Sequence, residues 1–456
     1  MLRVLTLLAA TALASCTPSA PPSEPAATRA AVVTAQQSLP APRRFSGRPA
    51  LRTPVQPNGQ LARDFMALTF QLETGRALPV FTRFEGPVTV AVEGNAPTSL
   101  TRDLDDLLTR LRREAGIDIS RAGRGEAASI TITALPRATL QAEVPGAACF
   151  VVPRVSGWRD YLGKRTGPAI DWTTLRQRTR ASIFLPSDVS AQEIRDCLHE
   201  ELAQALGPLN DLYRLPHSVF NDDNIHVVLT DYDMTLLRAT YDPALRSGMT
   251  QQSVAKILPQ ILARVNPKGR TADRAPILPS GTAWTSAIRA ALSPAGSDRT
   301  RLAAAQNAVT LAESAGWRDN RLPSAHLALG RAALPLDGDL AIDALLTAGS
   351  GFRDLYGDGI HAAHAAQQLA AFALTTGQPD GTLRIVDRAI PAADDAQNPS
   401  VLATLLLLRA EAMDLQGNPS DAARTRREGL AWGRTAWGDS ALMRRDAEIR
   451  SLAPGA

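Results

Sequence analysis

One change of rhythm divides this chain. Between Leu61 and about Leu262, stretches with the two-residue alternation of strands take turns with stretches spaced for helices. From about Ala283 onward only helical spacing remains. In the first region "PVTVAVEG" alternates Val88, Val90 and Val92 and stops at Gly94, which predicts a strand. "SITITAL", "ACFVVP" and "ASIFLP" read the same way, the last closed by Pro186. Phe65, Leu68 and Leu72 predict a helix over Leu61–Thr74. Leu104, Leu107, Leu108 and Leu111 form one face of a helix over Leu100–Ala115. Asp103, Asp105 and Asp106 near its start and Arg110, Arg112 and Arg113 near its end suit the helix dipole. Ser190 with Glu193 predicts a capping box opening another helix. The fold class is therefore α+β. An α/β sandwich domain over residues 61–262 is followed by a linker over 263–282 and an all-α domain over 283–452.

The second region is organised in pairs. "SVLATLLLLRAEAMDLQGNPSDAARTRREGLAWGRTAW" is a helix, a Gly-Asn-Pro-Ser turn and a second helix. "RLPSAHLALGRAALPLDGDLAIDALLTAGSGFRDLYG" and "HAAHAAQQLAAFALTTGQPDGTLRIVDRAI" follow the same plan, at a spacing of about 35–40 residues. This resembles a degenerate tetratricopeptide array, an all-α helix-pair solenoid. Stacked repeats of that kind present a face that binds protein segments.

The N-terminus reads as a targeting segment. Arg3 precedes an apolar run from Val4 to Ala14, too short to cross a bilayer as a helix. Leu13-Ala14-Ser15-Cys16 resembles the lipobox of bacterial lipoproteins. The resemblance implies a signal peptide over residues 1–15, acylation of Cys16, and a membrane partner reached through the lipid. Thr17 lacks the aspartate that retains such proteins in the inner membrane, so a periplasmic, outer-membrane-anchored protein is expected. Residues 16–60, rich in Pro, Ala and Ser, read as a lipidated cysteine and a disordered tether reaching roughly 35–40 Å. The remaining cysteines, Cys149 and Cys197, are an even pair in an oxidising compartment, which predicts a disulfide, with two buried free thiols as the alternative. The formal net charge of +4 is small and forms no dense basic stripe, so no nucleic-acid partner is expected.

"CLHEELAQALGPLND" carries the chemistry. It resembles the metzincin pattern His-Glu-x-x-His-x-x-Gly-x-x-His, in which three imidazoles hold zinc and the glutamate polarises a water. Keeping Gly207 in register places Glu201 at the catalytic glutamate. Glu200, Gln204 and Asn210 then stand at the three metal positions, with Asp211 after them. A carboxylate and two amides make a weak oxygen set, able at most to hold calcium or magnesium loosely. No cofactor is expected beyond such a loosely bound divalent metal. His199 offers another frame, but its partner would be Ala203, which cannot ligate. His217, His226, His361 and His364 are read as packing or surface residues. The plain alternative is an amphipathic helix with Leu198, Leu202, Ala205 and Leu206 inward and its polar residues solvated.

The likeness extends further. Glu200, Glu201, Gln204, Leu206, Gly207, Asn210 and Asp211 are followed by Ser218, Phe220, Asn221 and Asp222, and then by Tyr241, Asp242 and Pro243. The run resembles an uncharacterised bacterial domain family, mostly secreted proteins or lipoproteins, over roughly residues 60–255. The resemblance implies a zincin-like fold and no established activity. Protein or peptide binding at the cell envelope is the function expected. The alternative is an atypical metal-dependent peptidase or hydrolase using Glu201.

Overall fold

Four of the five strands fall where the alternation places them: β1 (Val88–Gly94), β3 (Ile130–Leu135), β4 (Phe150–Pro153) and β5 (Ala181–Pro186). The short β2 (Ile119–Arg121) has too few residues to show a period. They form one sheet in the order β2-β1-β3-β5-β4. All neighbours are parallel except β4, which runs antiparallel on the edge. The computed structural model describes residues 39–454 except 124, 222, 224 and 273–276. Cys16 and the signal stretch lie outside the described residues.

Helices cover both faces of the sheet, which is why β5 is buried at every position. Ile183 and Leu185 join the main core with Leu100 and Leu104 of α2 (Thr98–Arg110) and Leu198 and Leu202 of α5 (Ala191–Leu206). Phe184, pointing the other way, packs with Leu140 of α3 (Arg137–Glu143) and Tyr161 of α4 (Gly157–Lys164). α1 (Asn58–Phe70), α6 (Asp231–Thr240) and α7 (Gln251–Val265) complete the main core. The leucine face over Leu100–Ala115 is α2 and a single π turn. Its charges follow tertiary partners more than the dipole: Asp103 and Arg110 are buried, and Arg110 donates to the Leu229 carbonyl at 2.8 Å.

Beyond residue 281 the chain is all helical: α8 (Thr282–Leu292), α9 (Asp298–Ser314), α10 (Arg321–Ala333), α11 (Gly338–Tyr356), α12 (Ile360–Thr375), α13 (Pro379–Asp395), α14 (Pro399–Leu415) and α15 (Pro419–Arg450). The pairs open at Thr282, Arg321, Ile360 and Pro399, a step of 39 residues each time. The turns repeat as well. Gly357, Gly377, Gln397 and Gly417 all have positive φ. Gln397, with φ 52°, is the exception that needs a reason, since a side chain there costs about 1–2 kcal/mol. Its Oε1 accepts from Arg195 on α5. The repeat gives up its glycine where it meets the α/β domain.

That meeting brings in contacts the sequence does not show. The Pro-rich tether does not run free to residue 60. Residues 40–57 lie along the fold: Phe45 stacks on Trp432 with centroids 4.2 Å apart, the Leu51 amide donates to the Asp395 carbonyl at 2.9 Å, and Arg48 pairs with Asp231 at 2.7 Å. Arg43 pairs with Glu428 across the same path. A strap with no core of its own can order itself on a core that others supply. The two regions also touch directly. Pro40–Ala456 is one compact unit. Ile225 of the α/β domain sits in the core of α10–α15, and Tyr213 in the core of α8–α11. Among the described residues no helix is long and apolar enough to cross a membrane.

Candidate functional site

α5 begins on Ser190, whose side chain accepts from the Glu193 amide at 3.2 Å. The reciprocal half of the expected capping box is replaced, because the Glu193 carboxylate pairs with Arg137. Cys197 on α5 and Cys149 beside β4 are joined, with Sγ–Sγ 2.13 Å. The edge strand is thereby tied to the helix that carries the motif.

The far end of α5 is held by a residue that no motif announced. Arg178 points inward just before β5. Its Nη1 donates to the carbonyls of Gln204 and Ala205 at 2.5 and 2.7 Å, and its Nη2 to Gly207 at 2.5 Å. Its Nε reaches Thr82 Oγ1 at 3.2 Å, and the guanidinium lies 4.9 Å from the centre of the Trp172 ring. Three of the carbonyls a helix end leaves unpaired are satisfied at once. Burial pulls the guanidinium down to about 10, so it remains charged at neutral pH. Gly207 is required by close packing: a Cβ there would sit 2.9 Å from Thr240 Cγ2 of α6.

The motif residues scatter. Gln204 Nε2 donates to Asp211 at 3.2 Å, and Asn210 Nδ2 to the Ala67 carbonyl at 3.1 Å. Two of the three expected metal positions are thus engaged in tying loops to the helix. Among the described residues no three His, Cys, Asp or Glu side chains are grouped to hold an ion. The zinc implied by the metzincin pattern does not fit this donor set. His199 is fully buried and its Nδ1 accepts from the Leu229 amide at 3.1 Å. Burial, with the nearby Arg195 and Arg110 charges, pushes its pKa well below the ordinary imidazole value.

Glu201 is different. It is only 5 % exposed, and its Oε2 has no hydrogen-bond partner among the described residues. Burial pushes its carboxyl well above the usual carboxylate range, and the charges of Glu200 and Glu73 add to the shift. The shift favours the protonated form of the carboxyl. With His199 and Glu201 both buried, the polar side of α5 is not wholly solvated as the plain amphipathic reading has it.

The residues after the helix are structural. Ser218 Oγ donates to Asp233 at 2.5 Å, and the Thr230 amide reaches the same carboxylate at 2.8 Å. Asn221 Nδ2 donates to the Leu215 carbonyl at 2.9 Å. Tyr241 reaches back to the Leu206 carbonyl at 3.1 Å, and Asp242 pairs with Arg264 at 2.9 Å. Asp222 lies outside the described residues. The Ser218, Thr230 and Asn221 bonds hold the segment after α5, whose described residues are mostly buried although they form neither helix nor strand.

The structure also gathers histidines that spacing kept apart. His217 and His226 come from that loop, His361 and His364 from α12. The rings of His217 and His226 lie 5.9 and 5.3 Å from that of His361. His226 Nε2 contacts the Pro216 carbonyl at 3.0 Å. His361 Nε2 has no partner among the described residues. With six histidines in the whole chain, four at one junction is a placement only folding produces.

No curated protein matches the chain. Residues 58–260, which span the sheet, α5 and the buried loop, match the model of a family described as "Protein of unknown function (DUF2927)".

Proposed function

We propose that this chain is a periplasmic lipoprotein, held to the outer membrane through Cys16, that binds proteins or peptides with its helical array. The observation that carries the reading is the 39-residue step of four stacked helix pairs. Repeats of this kind, read here as tetratricopeptide-like, expose a continuous surface for a chain segment. The α/β domain is read as a zincin-like relic that supports the array. Two features favour a non-catalytic role. Two of the three donors at its metal positions are turned to structural use, and burial biases Glu201 toward the protonated form, which cannot act as a general base. The test is affinity capture from envelope extract with the full chain carrying Cys16→Ser. Specific partners lost on deleting residues 284–456 support the reading, and a partner list unchanged by the deletion removes it.

One observation favours the second reading, an envelope hydrolase. A buried carboxyl oxygen without a partner is unusual in a purely structural helix. Metal analysis of the purified chain, with peptide and peptidoglycan digestion by wild type and Glu201→Gln, separates the two. Stoichiometric metal and activity lost in Glu201→Gln establish the hydrolase.

A further inference from the structure

Helices α11, α12 and α13 enclose a cavity of about 410 Å³. Its floor is low and apolar because α12 presents small residues there, among them Ala362, Ala366 and Ala373. Its rim carries Arg353 from α11 and Arg384 and Arg388, one turn apart on α13. All three arginines are exposed, and among the described residues none has an ion pair or a side-chain hydrogen bond. Elsewhere in the array, guanidiniums near carboxylates are paired: Arg409 with Asp387, Arg426 with Glu411 and Asp446, Arg434 with Asp439. Asp358 is the one acid among the groove's lining residues.

We infer that this groove binds an acidic peptide segment that sets an aliphatic side chain on the alanine floor between two carboxylates. The inference rests on the reading of the array as a peptide-binding surface, and names its ligand class. Arginine's planar fork takes a carboxylate through two parallel bonds, so guanidiniums on the rim select anions with directional oxygens. They come from two different helices, which asks for two anionic groups separated along the ligand. An extended peptide of alternating acidic and aliphatic residues supplies that separation, with the aliphatic group facing inward. A cavity of this size takes one or two side chains, within the range of ordinary ligand pockets.

The probe is a fluorescein-labelled hexapeptide of alternating glutamate and leucine. Lysine–leucine and serine–leucine counterparts and phosphatidylglycerol vesicles are the comparisons. The full chain is titrated by fluorescence polarisation at low salt, as wild type and as R384E/R388E. The glutamate–leucine peptide binds best, and the double charge reversal weakens it by about tenfold or more, while the thermal midpoint stays put. R353E alone gives the same direction if the double variant folds poorly. Equal binding of the three peptides, no effect of the reversals, or binding of vesicles only overturns the inference. Envelope partners that remain bound to R384E/R388E while the peptide does not bind overturn the groove and leave the array's binding role standing. A wild-type chain that captures nothing overturns both.

Discussion

At the scale of single residues, two buried ionisable groups decide how α5 is held. Arg178 satisfies three carbonyls at the end of the helix, so Arg178→Met leaves all three facing a dry interior. We expect a loss of about 3 kcal/mol, read as a lower urea midpoint. Glu201 acts through protons. Its folded carboxyl binds a proton more tightly than the unfolded one, whose pKa is about 4.3. The stability this supplies is complete below that value and is lost as pH rises through the folded value. Glu201→Gln mimics the protonated form and does not titrate. The variant should therefore gain on wild type between pH 5 and pH 8 in thermal midpoint; parallel curves would show that Glu201 is ionised. The frame that singled out Glu201 was legible in its distance from Gly207. Its raised pKa was not, because it comes from packing that no local spacing encodes, with the charge of Glu73 adding to it.

At the scale of elements, the disulfide and the repeat turns stand out. The Cys149–Cys197 bridge closes a loop of 48 residues between the edge strand and α5. By the chain-entropy account its removal costs about 4 kcal/mol. Cys149→Ser/Cys197→Ser should unfold at lower denaturant, with faster hydrogen exchange in β4 than in β3. The four longer strands and the last three helix pairs were readable because each is an internal pattern: short apolar strand runs bounded by turn residues, and helical spacing broken by Gly, Pro and Asp turns for the pairs. β2 and α3 were not, being short and held mainly by neighbours. The Pro-rich segment at residues 40–57 misled for the same reason. It lacks a core, yet Trp432 and Asp395 provide partners from the other end of the chain.

At the scale of the molecule, the buried loop after α5 joins the two halves, and its imidazoles make the junction sensitive to acid. Burial brings His217 down to about 3 and His226 to about 4, and it places His361 well below its ordinary value. Arg331 from α10 and His364 add unfavourable charge, while Tyr356 from α11 and the Asp223 and Asp319 carboxylates lie on the other side. Because the unfolded histidines take up protons first, near pH 6.5, stability is present above that value and falls as the pH drops toward 4. The thermal midpoint should follow this course, with hydrogen exchange rising first in residues 213–230 and α12. His217→Phe keeps a ring against Tyr356 and should flatten the slope.

Local order was written in neighbouring residues: the two rhythms, the helix-pair period, the cap at Ser190 and the glutamate frame all act over a few turns of chain. The partners of Arg178, the gathering of the histidines, the docked strap and the raised pKa of Glu201 were settled only on folding. Each of those depends on removing water between groups far apart in sequence, and that is a property of the packed interior.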